Sequence, residues 1–191
     1  MGAREDAERF EPTTLEEWMA WLSHHHGDTP GVWLVTAKRS TGRQVFDYEA
    51  SVVEALRFGW IDSTQRSLDS DRSMMWFSPR RPRSGWARPN KVRIERLERE
   101  GRLEPAGRAA VDIAKANGSW TLFDDVEDLT VPVDLAGAMA ALPGAQAHWD
   151  GFPPSARKAI LAWIVQAKRP ETRARRVAEA AAQASRGIRA R

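Results

Sequence analysis

The stretch ALRFGWIDSTQRSLD, residues 55–69, holds the change from a helical pattern to a strand pattern that decides the N-terminal fold. Asp47 is a suitable N-cap for a helix that runs to about Phe58, and Gly59 suits the left-handed position that ends a helix. Beyond Gly59, apolar and polar residues alternate as they do in a half-buried strand. The sequence therefore predicts that a helix ends at Gly59 and that a strand begins at Trp60.

A predicted hairpin follows this helix. Its strands are WIDSTQRSL and SMMWFSPR, and the polar segment DSDR forms the turn between them. Alternation places Trp60, Asp62 and Thr64 on one face of the first strand. If the hairpin centres on Asp71, Asp62 lies opposite Arg80, whereas a shift of one residue would separate these two side chains.

The rest of the sequence is mainly helical. A capping-box pattern, Thr14 with Glu17, begins an amphipathic helix that ends near HHHGD, and GVWLVTAK predicts one further strand. The acidic segment FDDVEDLTVPVD is predicted to be a linker or a loop. Other helices are predicted at about residues 89–100, 105–117, 134–142, 144–150, 155–168 and 171–186.

These elements predict an α+β fold that is mainly helical, with a small antiparallel three-stranded sheet in the N-terminal part and a helical C-terminal region. We divide the chain into residues 1–128, which hold the sheet and the Trp- and Arg-rich motifs, and residues 129–191. A chain of 191 residues can bury a core without disulfide or metal cross-links.

The composition excludes several kinds of protein. The chain has no cysteine, which rules out disulfides, zinc–thiolate and iron–sulfur sites and a cysteine nucleophile. The polar N-terminus lacks the apolar core of a signal peptide, and no segment approaches the roughly 18 apolar residues of a membrane span. We therefore expect a soluble, cytoplasmic protein.

Four motifs, read in order along the chain, point to a known family. They are ALRFGWIDS, WFSPRRPRSGWARPN, GRLEPAG and AKRPETRARRV. With them the chain resembles the YdeI/OmpD-associated family, whose C-terminal part is called the OmdA or bacteriocin-protection region, from about Leu15 to Val177. The family usually has Ser where this chain has Ala87, so no role is assigned to a hydroxyl at that position.

The resemblance implies a link to envelope stress and to tolerance of antimicrobial peptides. It implies no catalytic residue. We therefore predict a non-enzymatic stress-response protein that acts by binding a ligand or a protein partner.

Side chains at the ends of the predicted strands form a candidate ligand site. In an antiparallel sheet the end of the third strand lies beside the start of the second, which brings an acid, an arginine and two Trp rings near the N-terminus of the next helix. Arginine offers a bidentate fork, Trp a stacking face and helix amides an anion site, so we predict a small anionic or planar ligand. The candidate residues are Lys38, Trp60, Asp62, Arg80, Ser84, Trp86 and Asn90.

The same residues also have a structural interpretation. Asp62 and Arg80 then form only a cross-strand ion pair, the Trp residues are core and Asn90 is a helix cap. Another alternative is a small-metabolite enzyme that uses Asp62 as a general acid or base, although the sequence places no second catalytic group beside it. No catalytic residue is therefore assigned.

A further alternative is nucleic-acid binding by the Arg- and Trp-rich segment 80–102, which holds nine Lys or Arg against three Glu. The helix in this segment pairs several of its own charges at i, i+4 spacing, which weakens that interpretation. The run His24–His26 is not predicted to bind metal, because neighbouring helical residues point about 100° apart. Neither a metal nor a cofactor is predicted, since P-loop, dinucleotide and hydrolase motifs are absent from the sequence.

Overall fold

The computed structural model describes residues 6–43 and 46–190 of the chain. Contacts between residues divide it into two compact units. The N-terminal unit contains the residues up to Ser84 together with Pro89–Trp120, and the C-terminal unit contains Gly85–Arg88 and the residues from Thr121 onward. The sequence-based division after residue 128 stays a prediction about domains.

The described residues form an α+β structure that is mainly helical, as predicted. A short 3₁₀ helix, Arg39–Thr41, follows the second strand. The strands are β1 (Arg9–Phe10), β2 (Val32–Ala37), β3 (Trp60–Ser67) and β4 (Arg72–Pro79). The α-helices are α1 (Leu15–His25), α2 (Tyr48–Arg57), α3 (Arg88–Arg99), α4 (Pro105–Ala116), α5 (Asp124–Glu127), α6 (Val133–Ala140), α7 (Ala145–Gly151), α8 (Pro154–Val165) and α9 (Pro170–Ser185).

The helix-to-strand transition at Gly59 is confirmed. The side chain of Asp47 accepts a hydrogen bond from an amide in the first turn of α2 at 2.8 Å. Gly59 has a φ of 74°, which an L side chain rarely adopts, and β3 begins at Trp60. The predicted cap of α1 is also confirmed, because the Thr14 hydroxyl accepts a hydrogen bond from the Glu17 amide.

The acidic segment predicted as a linker or loop contains a short helix instead. α5 covers Asp124–Glu127, and three of its four residues are acids. Acidic side chains stabilise the first turn of a helix. Four residues are too few to produce a helical periodicity that the sequence would show.

The sheet has four strands in the order β1-β2-β4-β3 and is mixed. β2, β4 and β3 are antiparallel neighbours, as predicted, but β1 pairs with β2 in parallel through Arg9 and Phe10. The prediction of three antiparallel strands is therefore wrong. β1 comprises only two residues, which is too short for an alternating pattern.

The register of the β3–β4 hairpin also differs from the predicted one. Asp62 lies opposite Phe77 and not opposite Arg80. A β-bulge in β3 accounts for one residue of this shift, and the turn accounts for the other two, because the Asp69 carboxylate accepts hydrogen bonds from the amides two and three residues later, at 2.9 and 2.7 Å. These bonds centre the hairpin earlier than the sequence predicted.

A β-bulge changes which side chains of β3 share a face. The register shifts between Asp62 and Gln65, so two residues of β3 stand opposite Trp76 alone. Beyond this point the side chains of β3 alternate in the opposite order. Gln65, and not Thr64 as predicted, therefore lies on the same face as Asp62. The prediction for Thr64 is wrong for this reason.

Aromatic side chains pack α1 against one face of the sheet, which we call the inner face. The ring of Trp18 lies 5.3 Å from that of Phe77, and the ring of Trp21 lies 5.7 Å from that of Trp60. The opposite, outer face carries a separate buried cluster. Its members are Trp33, Val35, Met74 and Trp76, with Ala7 and Leu68 packed against them.

The C-terminal unit has its own helical core. Leu135, Trp149 and Ile164 are almost fully buried in it, and Lys158 donates to the Glu127 carboxylate at 2.7 Å. In residues 6–43 and 46–190, none of the helices is long and apolar enough to cross a membrane.

Glu54 of α2 is a buried carboxylate whose partners lie in α2 itself and in the segment between α3 and α4. It is 3% exposed, and it accepts hydrogen bonds from Arg57 at 2.6 Å and from Arg102. Arg57 also donates to Glu104 at 2.9 Å. In the same GRLEPAG motif, Gly107 packs so closely that a Cβ atom would lie 2.2 Å from the Arg57 carbonyl oxygen. The motif therefore holds α2 to the segment between α3 and α4.

We expect Glu54→Ala to lower the free energy of unfolding by about 2 kcal/mol, because part-buried donors of Arg57 and Arg102 lose their acceptor, although Arg57 keeps Glu104 and Arg102 keeps Glu100. Chemical denaturation of the purified chain measures this change. Glu95→Ala is the matched control, since it removes an exposed glutamate from α3 and should change the free energy by no more than about 0.5 kcal/mol. Equal effects of the two substitutions would contradict the expectation.

Candidate functional site

Along the inner face of the sheet, the cross-strand rows change from apolar to hydroxyl side chains. Residues directly opposite each other on antiparallel strands project to the same face, with Cβ atoms about 5 Å apart. One row consists of Leu34, Met75 and Gln65, and the next consists of Thr36, Ser73 and Ser67. Three hydroxyl groups from β2, β4 and β3 therefore lie side by side, and we call them the hydroxyl row.

A groove of about 540 Å³ lies over these two rows. We call it the sheet groove. Tyr48 and Ser51 of α2 contribute to its wall, together with Phe46 and Asp47 from the segment before the helix. The volume falls within the roughly 300–1,000 Å³ that is usual for small-molecule sites.

The sheet groove is lined by two cationic residues that follow β2, Lys38 and Arg39. The Lys38 ammonium donates to the Ser67 hydroxyl at 2.9 Å and to the carbonyl oxygen of Asp69 at 2.6 Å. These bonds hold the charge beside the hydroxyl row. Lys38 is thus the predicted site residue that the structure places in this groove.

The other charged residues that line the sheet groove leave its net charge positive. Among the described residues that line it, only Asp47 is acidic, and its carboxylate caps α2. Arg66 also belongs to the lining, but its guanidinium lies 5.3 Å from the Trp33 ring on the outer face. The groove therefore carries a net positive charge from Lys38 and Arg39.

Asp62 and Arg80 are electrostatic neighbours, although they are not opposite each other in the hairpin. The Arg80 amide donates to the Gly59 carbonyl at 2.9 Å, so the end of β4 lies beside the start of β3, as predicted. Burial lowers the pKa of the Arg80 guanidinium to about 10, and the Asp62 carboxylate opposes that shift.

Tyr48 links this charged pair to the sheet groove. Its hydroxyl donates to the Asp62 carboxylate at 2.8 Å, and the residue lines the groove. Burial, and after it the hydrogen bond to Asp62, raises the pKa of Tyr48 to about 12. The phenol is therefore a neutral, fixed donor at ordinary pH.

Asn90 lies in the first turn of α3, where its side-chain oxygen accepts a hydrogen bond from Arg93 at 2.7 Å. Arg93 also donates to the Glu49 carboxylate at 2.8 Å, and this bond is the main cause of the raised pKa of Arg93, with a smaller contribution from Asp62. Asn90 is connected to the surroundings of Asp62 through Arg93 and does not line the sheet groove.

Three candidate residues have other surroundings. Trp60 is almost fully buried, and its indole N–H donates to the carbonyl oxygen of His26 at 3.0 Å. The Ser84 hydroxyl donates to the Arg81 carbonyl at 2.9 Å within its own turn. Trp86 is buried and belongs to the C-terminal unit. A ligand role for these three stays a prediction.

The sequence reasoning missed Tyr48 and the hydroxyl row. Tyr48 was assigned only to the apolar face of a helix, and the row exists only in the observed register. One signal was present in the sequence, because Thr and Ser replace the apolar residues toward the ends of β2 and β4.

The histidine run makes ordinary helix-end contacts. His24 and His26 each contact the carbonyl oxygen four residues earlier, at 2.7 and 3.0 Å, and His25 lies 3.6 Å from Asp28. Within the part of the chain that the structure describes, His, Asp and Glu form no cluster of three that could hold a metal ion.

Several arginines of segment 80–102 are paired with carboxylates. Nucleic-acid binding by this segment stays a prediction, and these pairs reduce the charge available for a phosphate backbone. The pairs are Arg88 with Asp128, Arg93 with Glu49, Arg96 with Glu100, and Arg102 with Glu54 and Glu100.

Two family models match the chain. Residues 10–110 match a family described as domain of unknown function (DUF8412), and residues 128–187 match OmdA, described as bacteriocin-protection, YdeI or OmpD-associated. The predicted resemblance is therefore confirmed for the C-terminal part, but the OmdA match is shorter than the expected range from Leu15 to Val177. No curated protein and no solved structure matches the chain.

Tyr48 is the only tyrosine of the chain, so an ultraviolet pH titration reports on its phenol alone. We expect ionisation at a pKa of about 12 instead of the ordinary 10.0. Asp62→Asn should lower the midpoint but leave it above 10.0, because burial is the larger cause. Asp112→Asn, an exposed acid on α4, should leave it unchanged.

The direction of the linked stability change follows from this shift. Because the pKa of Tyr48 is higher in the folded chain, the unfolded chain loses the phenol proton first as the pH rises above 10.0. The contribution of this group to stability is therefore complete below pH 10.0 and is lost as the pH rises toward about 12. A midpoint that Asp62→Asn and Asp112→Asn shift equally would show that the hydrogen bond has no effect on the phenol.

Proposed function

This chain belongs to the family described as domain of unknown function (DUF8412), and from that premise and the OmdA match we propose that it is a non-enzymatic binding protein. Its proposed role is protection against bacteriocins or related envelope stress, from a cytoplasmic location. The bacteriocin connection comes from the description of the OmdA family, which covers residues 128–187. The proposed ligand is a small anion that binds in the sheet groove of the N-terminal unit.

The observation that carries this proposal is the placement of Lys38 beside the hydroxyl row. Hydrogen bonds from a charged donor to an anion are shorter and stronger than those between neutral groups. The Ser67 hydroxyl donates to the Asp69 carbonyl at 3.1 Å, so Thr36 and Ser73 are the members of the row that can donate to the same anion, because a hydroxyl rotates to suit its partner. A cation held next to three aligned hydroxyls thus supports selective binding of a carboxylate or a phosphate.

The surroundings of Asp62 favour binding over catalysis. Its carboxylate accepts a hydrogen bond from Tyr48 and lies near the Arg80 guanidinium. Both contacts give this carboxylate a structural role, because it holds the Tyr48 hydroxyl and offsets part of the cost of burying the Arg80 charge. We therefore assign Asp62 and Arg80 the role of holding Tyr48 in place at the groove wall.

Inorganic phosphate is a suitable first probe of the anion site, with binding measured by isothermal titration calorimetry on the purified full chain. Lys38→Met should weaken phosphate binding at least about tenfold, because a hydrogen bond to a charged group contributes about 1.5–3 kcal/mol. Lys168→Met is the matched control, since it removes the same charge from an exposed position in the C-terminal unit. Equal weakening by both substitutions would indicate binding by net charge alone and would contradict the proposed site.

The biological part of the proposal has a separate test. Cells from which the gene has been deleted should become more sensitive to a bacteriocin challenge, and the wild-type chain supplied from a plasmid should restore survival. The Lys168→Met chain should restore survival and the Lys38→Met chain should not, if ligand binding is needed for protection. Unchanged survival of the deletion strain across a panel of bacteriocins would contradict the role.

A further inference from the structure

We infer that the ligand of the sheet groove is a planar aromatic anion, whose ring stacks on Tyr48 and whose phosphate or carboxylate group binds at Lys38 and the hydroxyl row. This inference rests on the proposed function, because it takes the sheet groove as the ligand site. It adds an aromatic ring to the charged group that the proposed function already gives to the ligand.

The first step concerns the Tyr48 ring. Tyr48 is 49% exposed although it lines the groove, so its side chain offers area that a ligand can cover. Its hydroxyl is fixed by the Asp62 carboxylate at 2.8 Å, and Asp62 is itself held in a strand. A ring with a fixed orientation loses little conformational entropy when a second ring stacks on it, and offset stacking is the arrangement that aromatic pairs prefer.

The second step concerns the floor of the groove. The row next to the hydroxyl row contains Leu34 and Met75, and both side chains line the groove. Methionine makes favourable contacts with the edge of an aromatic ring. These two apolar side chains, beside the polar Gln65 of the same row, favour a ligand that has an apolar body as well as a charge.

The third step concerns the order of these features. Lys38 and the hydroxyl row lie at one end of the inner face, and the row with Leu34 and Met75 is nearer to Asp62, the residue that holds Tyr48. The region that would bind the charge and the region that would bind the ring therefore lie at different positions along the sheet. A molecule that carries a ring and an anionic group at its two ends satisfies both regions at once.

Adenosine 5′-monophosphate and ribose 5-phosphate form a matched pair of probes, because they share the phosphate and the sugar and differ in the ring. Calorimetry on the wild-type chain should show at least about tenfold tighter binding of adenosine 5′-monophosphate, since stacking of one base contributes about 1–3 kcal/mol. Benzoate and acetate form the corresponding carboxylate pair, and they decide whether the site prefers a phosphate or a carboxylate.

Two substitutions of Tyr48 separate the ring from its hydroxyl. Tyr48→Ala should remove the preference for the ring-bearing probe, so that adenosine 5′-monophosphate and ribose 5-phosphate bind this variant with affinities within about twofold of each other. Tyr48→Phe keeps the ring and loses only the hydrogen bond to Asp62, so it should retain most of the preference.

A direct measurement on the unmodified chain covers the case in which Tyr48→Ala does not fold. Because the chain has a single tyrosine, ¹³C-tyrosine labelling gives the nuclear magnetic resonance signals of one ring. Adenosine 5′-monophosphate should shift these signals by its ring current, and ribose 5-phosphate should leave them almost unchanged.

Equal binding of each matched pair would overturn the inference and leave the proposed anion site in place. A preference that survives in Tyr48→Ala, or tyrosine signals that do not respond to the ring, would also overturn it. Absence of binding by all four probes and by inorganic phosphate would overturn the proposed function together with the inference.

Discussion

The buried carboxylate of Glu54 is the constraint on which the N-terminal unit depends. An ionised group that is 3% exposed must be compensated by partners of opposite charge, and Arg57 and Arg102 provide this compensation. Because Arg102 follows α3 and Arg57 also binds Glu104 just before α4, the contacts of this one charge tie α2 to the segment between α3 and α4. Because α2 is a continuous helix, contacts that hold its C-terminal half also fix the position of its N-terminal half. This is the part of α2 that presents Tyr48 and Ser51 to the sheet groove.

Much of the fold could be predicted from local chemistry in the sequence. The cap at Asp47, the left-handed Gly59 and the strand that begins at Trp60 all follow from the preferences of single residues. Strand β1 could not be predicted in this way, because two residues contain no pattern. The role of Glu54 was also hidden, since a glutamate in a helix is normally exposed and its partner Arg102 is distant in sequence.

The candidate site was predicted less completely than the fold, and the reasons are geometric. Lys38 lines the sheet groove, and Asp62 and Arg80 are neighbours as the strand order implied. Trp60 is buried, and its indole N–H donates to a carbonyl oxygen. Composition alone does not distinguish a buried Trp of this kind from one that stacks on a ligand. Side chains that depend on strand order were therefore easier to place than those that depend on the exact register of the hairpin.

The bulge in β3 shows how strongly the site depends on that register. Without the shift between Asp62 and Gln65, alternation would direct Arg66 toward the groove and Ser67 away from it. In the observed register, Leu68 packs on the cluster of the outer face and the Arg66 guanidinium lies over a Trp ring there. The apolar contacts of the outer face thus stabilise the same register that places Ser67 in the hydroxyl row. The packing of one face of the sheet consequently determines the chemistry of the other, which is why a site built on this hairpin cannot be read from the residues that line it alone.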